Sequence, residues 1–395
     1  MNIRLKTEQE LRRHFGQFIT NKQTERSLLL IQGILESKTV NLWSCAENLS
    51  RLPDIDYTDK QLYSMFIDHF QTGRYDKLLK SYFLAVFYLT FHLSDGRLAM
   101  DRTEWKIGEH WHNLLVIGYI CHDTLVPLVW VDLGKRKNSK TEERIALLNR
   151  LIAWWKATGV QLPPLILYAD REFIGNEWFR YLVKSEINFV IRLRENQQFH
   201  LWRNGKMTEK LYDVKVLARY LSKFDLSHVE IVLGDETIIP FTATMQVIEE
   251  NNQTKVQRWF LAANIEDPEN AGLYYNSRWS IEITFSHTKT KGLNLEDFNL
   301  VGQHKMEIML GLVTLVYAIS IRQAIEEKLY EQVETKTYKN GKQYLAKSTF
   351  KLGLERIRKI VRNVKDLFCH LLTLFEEVNL VLKRKKYILN NSIVQ

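Results

Sequence analysis

The stretch DGRLAMDRTEW, residues 95 to 105, marks the point at which the chain changes from helix to sheet. Before it, apolar residues recur with the period of about 3.6 that is typical of α-helices, whereas within it the period is about 2. Asp95-Gly96 is a turn dipeptide. The residues after this turn predict a first β-strand with Asp101 near its end.

Downstream of this strand, helical and β-type segments follow one another in a regular order. The predicted elements are strands at 113–122 and 125–133, a helix at 141–158, a strand at 165–170, a helix at 176–186 and a strand at 188–194. The order β-β-β-α-β-α-β predicts a five-stranded mixed α/β core. Ligand sites in open α/β sheets lie beyond the carboxyl ends of the strands, and Asp170 ends the fourth strand.

The rest of the chain divides around this core. Short alternating segments between polar turns predict a β-rich insertion, and periodic apolar positions predict helical regions at both ends. The predicted regions are 1–92 (helical, with a helix-turn-helix or an ordinary helical bundle), 93–196 (first part of the core), 197–266 (insertion), 267–303 (second part of the core) and 304–395 (helical).

Charge and composition restrict the class of protein. The formal charge of +9 favours a polyanionic partner such as nucleic acid. Three widely spaced cysteines give neither a disulfide framework nor a CxxC metal motif, as expected in a reducing cytoplasm. The longest uncharged apolar run, residues 308–321, is shorter than a typical membrane span of about 20 residues, so a buried helix and no membrane association are expected. A P-loop motif is absent, so ATP dependence is not indicated.

The segment YNSRWSIEITFSHTK, residues 275–289, is predicted to form about four uninterrupted helical turns. In such a helix Tyr275, Arg278, Glu282 and Lys289 fall on one narrow face. A carboxylate flanked by two cations is suited to metal binding beside a phosphate. The alternative is a surface helix in which Arg278 and Glu282 form an ordinary i,i+4 pair, worth a few tenths of a kcal/mol.

Three carboxylates converge if the first and fourth strands are neighbours: Asp101, Asp170 and Glu282. Carboxylates at close quarters raise each other's pKa unless a cation neutralises them. Oxygen ligands suit Mg²⁺, with Mn²⁺ as a substitute, rather than zinc. Two such ions about 4 Å apart activate a water or a 3′-hydroxyl and stabilise the leaving oxygen of a phosphodiester.

The spacing Tyr-x2-Arg-x3-Glu-x6-Lys resembles the Y-R-E-K signature of bacterial insertion-sequence transposases of the DDE type, in the fourth-numbered family of such elements. DRTEWKIG, from Asp101, and YADREFIG, around Asp170, are similar to the first and second aspartate blocks of that family. KSTFKLGLERIR, residues 347–358, is similar to its C-terminal region, so the resemblance covers roughly residues 90–365. It implies an RNase H-like fold with a β insertion between the second aspartate and the glutamate.

The resemblance also implies roles for individual residues. Asp101, Asp170 and Glu282 would be the catalytic and metal-binding carboxylates, and Tyr275, Arg278 and Lys289 would contact DNA. Trp259 would stack on a flipped base, or be an ordinary core residue of the insertion. Arg102 and Arg171, which directly follow the two aspartates, would reach DNA phosphates or pair with nearby carboxylates.

Four other candidates are given structural interpretations. Glu172 is expected to point in a different direction from Asp170, Asp132 to lie at a turn or on the surface, and His110 and His112 to be satisfied strand histidines.

The function expected from these features is metal-dependent cut-and-paste DNA transposition, with strand nicking, hairpin formation and strand transfer. The expected partners are the terminal inverted repeats of the element, target DNA and a second copy of the chain in a paired-end complex. The expected location is the bacterial cytoplasm, at the nucleoid when DNA is bound. The alternatives are a catalytically silent transposon-derived DNA-binding protein and an RNase H-like metal-dependent nuclease.

Overall fold

The computed structural model describes residues 20–374, apart from short gaps at 94, 123, 162, 235–236, 251–252, 291, 338–342, 364, 368 and 372. The basic segment VLKRKKY, residues 381–387, lies outside these residues. Its sequence indicates either phosphate binding or a solvated terminus.

Four helices form the described part of the N-terminal region, as predicted. They are α1 (Asn21–Ser37), α2 (Leu42–Leu49), α3 (Asp59–Phe70) and α4 (Tyr75–Thr90). Thr20 and Thr58 close capping boxes with Gln23 and Gln61 at the starts of α1 and α3, which satisfies backbone N–H groups that have no partner inside the helix. Helix α4 is buried along most of its length, so it is a core element of the protein.

The predicted five-stranded core is confirmed. Its strands are β1 (Arg97–Ile107), β2 (His110–Cys121), β3 (Thr124–Asp132), β4 (Ile166–Ala169) and β5 (Asn188–Arg192), and its connecting helices are α5 (Thr141–Ala157) and α6 (Asn176–Lys184). The spatial order is β3-β2-β1-β4-β5. The first three strands pair antiparallel, whereas β4 pairs parallel with both β1 and β5. This arrangement is RNase H-like, and it makes β1 and β4 neighbours.

The segment after β5 extends the same sheet. It contains β6 (Gln198–Arg203), β7 (Lys206–Met207), β8 (Tyr212–Asp213), α7 (Val214–Phe224), β9 (Val229–Val232), β10 (Ile238–Glu250) and β11 (Gln253–Asn264). Strand β11 pairs antiparallel with β5, so the described strands from β1 to β11 form one sheet. Helix α7 was not predicted; Asp213 caps it, and its apolar side chains at 214, 217, 218 and 221 are buried.

The segment 275–289 is not the uninterrupted helix that was predicted. A short helix α8 (Ala271–Tyr275) leads into a 3₁₀ turn, Asn276–Trp279, and then into α9 (Ser280–Lys289). The Ser277 hydroxyl donates to the Tyr274 carbonyl at 2.5 Å, and such local side-chain bonds compete with regular α-helical pairing. The turn leaves Arg278 buried and the next residue, Trp279, 59% exposed.

The C-terminal region contains α10 (Gln303–Glu326), the hairpin strands β12 (Thr335–Thr337) and β13 (Gln343–Leu345), and α11 (Thr349–Ile360). Helix α10 is long and apolar enough to cross a membrane, but 94% of its apolar 18-residue stretch is buried inside the protein. It packs against α4, β3 and α11. The prediction of a buried helix at 308–321 is therefore confirmed.

A network of buried hydrogen bonds connects α10 to the sheet. Asp132 is 3% exposed, so the prediction of a turn or surface position is wrong. Its Oδ2 lies 2.5 Å from Nδ1 of His112, so one ring nitrogen of this strand histidine is satisfied as predicted, but the buried Nε2 has no hydrogen-bond partner among the described residues. His110 is exposed at the start of β2. Glu307 accepts the Asp132 N–H at 2.9 Å and the hydroxyl of Tyr75.

Glu307→Gln should change how stability depends on pH. Burial raises the pKa of Glu307 from 4.5 to about 7. The folded state therefore holds this proton to higher pH than the unfolded state, and the contribution to stability falls as pH rises from about 4.5 to about 7. Glutamine does not ionise, so the variant does not lose this contribution. Its free energy of unfolding should therefore rise relative to that of wild type across this pH interval, by at most about 3 kcal/mol. Urea unfolding at pH 5 to 8 measures the difference.

Glu331→Gln, at a side chain that is 54% exposed, is the matched control and should leave the curve unchanged. If the free energy of unfolding depended on pH in the same way in wild type and in Glu307→Gln, the pKa of Glu307 would be the same in the folded and the unfolded state.

Gly353→Ala should separate α11 from α10. A Cβ at position 353 would lie 1.7 Å from the Ser320 carbonyl oxygen, and backbone cannot move aside as a flexible side chain can. Overpacking usually costs about 1–3 kcal/mol, and the upper end of that range is expected here. Gly73→Ala, where a Cβ would meet nothing within 4 Å, is the control in the same denaturation measurement. Equal stability of the two variants would contradict this packing.

Candidate active site

The first two predicted carboxylates lie on adjacent strands. In the parallel pairing of β1 with β4, Met100 is opposite Ala169, and Asp101 and Asp170 are the next residues on their respective chains. The Asp101 side chain is 16% exposed. Burial raises the pKa of its carboxyl to about 7, while the positive charge of Arg278 opposes that rise. Asp101 is therefore a carboxylate whose ionised form depends on a nearby cation.

Arg278 joins Asp101 to the third predicted carboxylate. Its Nη1 is 3.2 Å from Asp101 Oδ2 and its Nη2 is 2.5 Å from Glu282 Oε1. The arginine itself is only 8% exposed. Arg278 and Glu282 thus form the i,i+4 pair expected from the sequence. The pair is mostly buried and connects α9 to the sheet, so it is not a surface pair.

Tyr275 and Trp259 lie on the other side of Arg278. The Tyr275 hydroxyl donates to Asp170 Oδ1 at 3.4 Å, and this side chain is 2% exposed. The Trp259 ring packs edge-on against Tyr275 at 5.1 Å between centroids, and the guanidinium of Arg192 lies 5.6 Å from the Trp259 centroid. Trp259 is partly buried, and its Nε1 donates to Gln257 Oε1 at 3.1 Å.

Lys289 lies at the other end of a cleft beside Asp101 and Glu282. This cleft, between β1 and α9, has a volume of about 420 Å³. The ammonium group of Lys289 donates to the Glu104 carbonyl at 3.3 Å and is 3.2 Å from Glu296. It also lies 5.2 Å from the Trp105 ring centroid. These three contacts fix the position of the charge, and sequence reasoning did not identify any of them.

The two other predicted DNA contacts differ from each other. Arg171 is exposed, and its carbonyl accepts Nε of Arg194 at 3.2 Å. The guanidinium of Arg102 is bound within the protein, with Nε 2.9 Å and 3.0 Å from the two carboxylate oxygens of Glu172. Glu172 therefore pairs with Arg102 whereas Asp170 contacts Tyr275, so these two carboxylates point in different directions, as predicted. The charge of Glu172 contributes to the raised pKa of Asp101.

The donor set fits divalent cations by its chemistry. Asp101, Asp170 and Glu282 offer only oxygen, and a buried carboxylate with a raised pKa gains most from a neighbouring cation. Arg278 provides that charge in the present arrangement. Within the described residues, no three His, Cys, Asp or Glu side chains are close enough to hold a metal ion together. Arg278 occupies one oxygen of Asp101 and one of Glu282, which a cation at these carboxylates would also use.

Comparison with known proteins defines the class. Residues 92–319 match the family model described as "Transposase DDE domain", which covers more than half of the chain. The chain belongs to this family of transposases.

Among solved structures, one similar protein is the piggyBac transposase in a synaptic complex with hairpin DNA. The TM-score is 0.41 and the identity 10%, over 92% of this chain and 73% of that one, a similarity too low to support an argument about function. No match is found among curated proteins.

Arg278→Gln should raise the pKa of Asp101 further above about 7, because it removes the charge that favours the ionised form. A ¹³C NMR titration of protein labelled at the aspartate carboxyl carbons, assigned with Asp101→Asn, measures this pKa. Lys289→Gln is the control, because Lys289 contacts Glu104 and Glu296 instead of Asp101. A pKa of Asp101 that is unchanged in Arg278→Gln would show that the bridge is not formed in solution.

Proposed function

We propose that this chain is a cut-and-paste DNA transposase of the insertion-sequence group with the Y-R-E-K signature, and that Asp101, Asp170 and Glu282 are its catalytic carboxylates. The observation that carries the proposal is their placement around Arg278 and Tyr275 at one edge of the sheet. Strand register brings Asp101 beside Asp170, and Arg278 brings Glu282 to Asp101.

The proposed cofactor is Mg²⁺, two ions per site, with Mn²⁺ as a substitute, held by the three carboxylates. When bound, these ions would activate the attacking oxygen and stabilise the leaving oxygen of a phosphodiester. The protein supplies the remaining functions. Burial of Asp101 and Arg278 keeps the site low in dielectric, where charged contacts are stronger than in water.

Arg278, Tyr275 and Lys289 are proposed to position the DNA backbone. Arg278 would exchange the carboxylates for a phosphate, which its planar guanidinium binds through two hydrogen bonds. Lys289 is seven residues beyond Glu282, roughly 10 Å along the helix, so it would hold a neighbouring phosphate. The Tyr275 hydroxyl would donate to a further phosphate oxygen in place of Asp170.

Two surrounding residues complete the proposed contacts. Exposed Arg171 would contact a phosphate, and partly buried Trp259 would stack on an unpaired base, a contact worth about 1–3 kcal/mol.

The proposed reaction is a series of in-line phosphoryl displacements, each forming one P–O bond and breaking another. Water first nicks one strand at the element end. The freed 3′-hydroxyl attacks the opposite strand to form a hairpin, and a second water opens it. The 3′-hydroxyls then join target DNA.

Partners and regions follow from this reaction. The helical region 1–92 is proposed to recognise terminal inverted repeats, the core segments 93–196 and 267–303 to carry the chemistry, and the insertion 197–266 to supply Trp259. The region 304–395 is proposed to support a homodimer that pairs two ends. The charge of +9 suits such a partner, and the proposed location is the bacterial cytoplasm, at the nucleoid.

A strand-transfer assay with pre-cut element ends and supercoiled target tests the proposal. Wild type should join ends in the presence of Mg²⁺, and Glu282→Ala should lose joining by at least about 10³-fold while end binding remains. The expected loss is large because the substitution removes an interaction that stabilises the transition state. Glu269→Ala, an exposed carboxylate of the same polypeptide segment, is the matched control and should join normally.

The rival functions give different results in this assay. End binding without joining or cleavage by wild type would identify a silent DNA-binding protein. Cleavage without joining would identify a nuclease.

A further inference from the structure

The ion pair between Arg102 and Glu172 lies directly beside the two catalytic aspartates. Arg102 follows Asp101 on β1, and Glu172 is two residues beyond Asp170. Backbone pairing of β1 with β4 ends at Met100 and Ala169. The two aspartates are therefore just outside the region in which the sheet ladder itself fixes their separation.

Arg102 connects the two chains at this point. Its backbone N–H lies 2.8 Å from Asp101 Oδ1, and its Nε bonds both carboxylate oxygens of Glu172. Its Nη atoms donate to Glu104, Asn113 and Asn138 at 3.2, 3.3 and 3.1 Å. The Arg102 and Glu172 side chains are only 15% and 20% exposed. Each nitrogen of this guanidinium thus has a partner inside the protein.

The backbone after Asp170 is held by two more arginines. Nη2 of Arg144, a residue that is 4% exposed, donates to the Glu172 carbonyl at 3.0 Å, and its Nη1 donates to the Ile174 carbonyl at 3.4 Å. Nε of Arg194 donates to the Arg171 carbonyl at 3.2 Å. Arg102 is the arginine of this group that lies on β1, so its side chain links the turn to the strand that carries Asp101.

We propose that the Arg102–Glu172 ion pair positions Asp170 against Asp101, and that Arg102 is a positioning residue and not a DNA contact. The inference rests on the proposed function for the roles of the aspartates. When the pair is removed, the turn after β4 is no longer tied to β1 and Asp170 moves away from Asp101. A displacement of about 1 Å at a reacting centre costs on the order of 10²-fold in rate.

A double-mutant cycle separates this role from phosphate binding. The variants are Arg102→Gln, Glu172→Gln, the double variant and Arg102→Lys, each checked for folding by circular dichroism. The readouts are the single-turnover joining rate at saturating DNA, the Kd for element ends and the salt dependence of that Kd. Each single variant should lose on the order of 10²-fold in rate, and the double variant should lose no more than either single one, because both remove the same interaction.

The Kd for element ends, and the slope of its dependence on salt concentration, should be the same in these variants as in wild type. Arg102→Lys should also be slow, because lysine cannot make the bonds of the planar guanidinium. If Arg102→Lys were fully active, or Arg102→Gln reduced the salt slope by about one, Arg102 would be a phosphate contact. If only Glu172→Gln were inactive, Glu172 would act directly in the reaction.

Crystal structures of the single variants test positioning without any reaction. They should show Asp170 farther from Asp101 than in wild type, and an unchanged separation would overturn the proposal whether or not the protein joins DNA. Wild-type protein that binds ends without joining them would contradict the proposed function instead, and would leave this structural result standing by itself.

Discussion

The site depends on one buried cation, the guanidinium of Arg278. It lies between Asp101 on the sheet and Glu282 on α9, and it reduces the cost of keeping two carboxylates close together away from water. The 3₁₀ turn before α9 places Arg278 on the inner side while Trp279 faces solvent. The 3₁₀ turn therefore interrupts the regular helix at the position from which the long side chain of Arg278 reaches the sheet.

The same bridge explains how this site differs from a preformed metal cage. Because Arg278 already bonds Asp101 and Glu282, a bound cation would take its place at these oxygens, and a DNA phosphate would accept the released guanidinium. Under the proposed function, the binding of DNA and of metal would then favour each other, and the three carboxylates would move closer together to hold the metal.

The sequence predicted those features that depend on local pattern. The change of period at Asp95-Gly96 placed β1, and the alternation of helices and strands predicted a five-stranded mixed core, whereas the position of β4 beside β1 was left open. The features that it missed depend on long-range contacts. Glu172 is held by Arg102 from a different strand, and Asp132 is buried because α10 covers it with Glu307. Helix α7 was missed because its short amphipathic pattern lies between β-type segments.

The short turn Leu295–Asp297 contacts both the N-terminal region and Lys289 of the cleft between β1 and α9. Glu296 of this turn holds Lys289, and Asp297 accepts the Thr39 hydroxyl at 2.9 Å. The next residue, Phe298, is 1% exposed and packs against Phe70 of α3 at 5.2 Å between ring centroids. A buried aromatic contact of this kind fixes the turn more firmly than the exposed polar bond does. The region proposed to recognise DNA ends and the lysine proposed to hold the cleaved strand are therefore attached to the same rigid element of the fold.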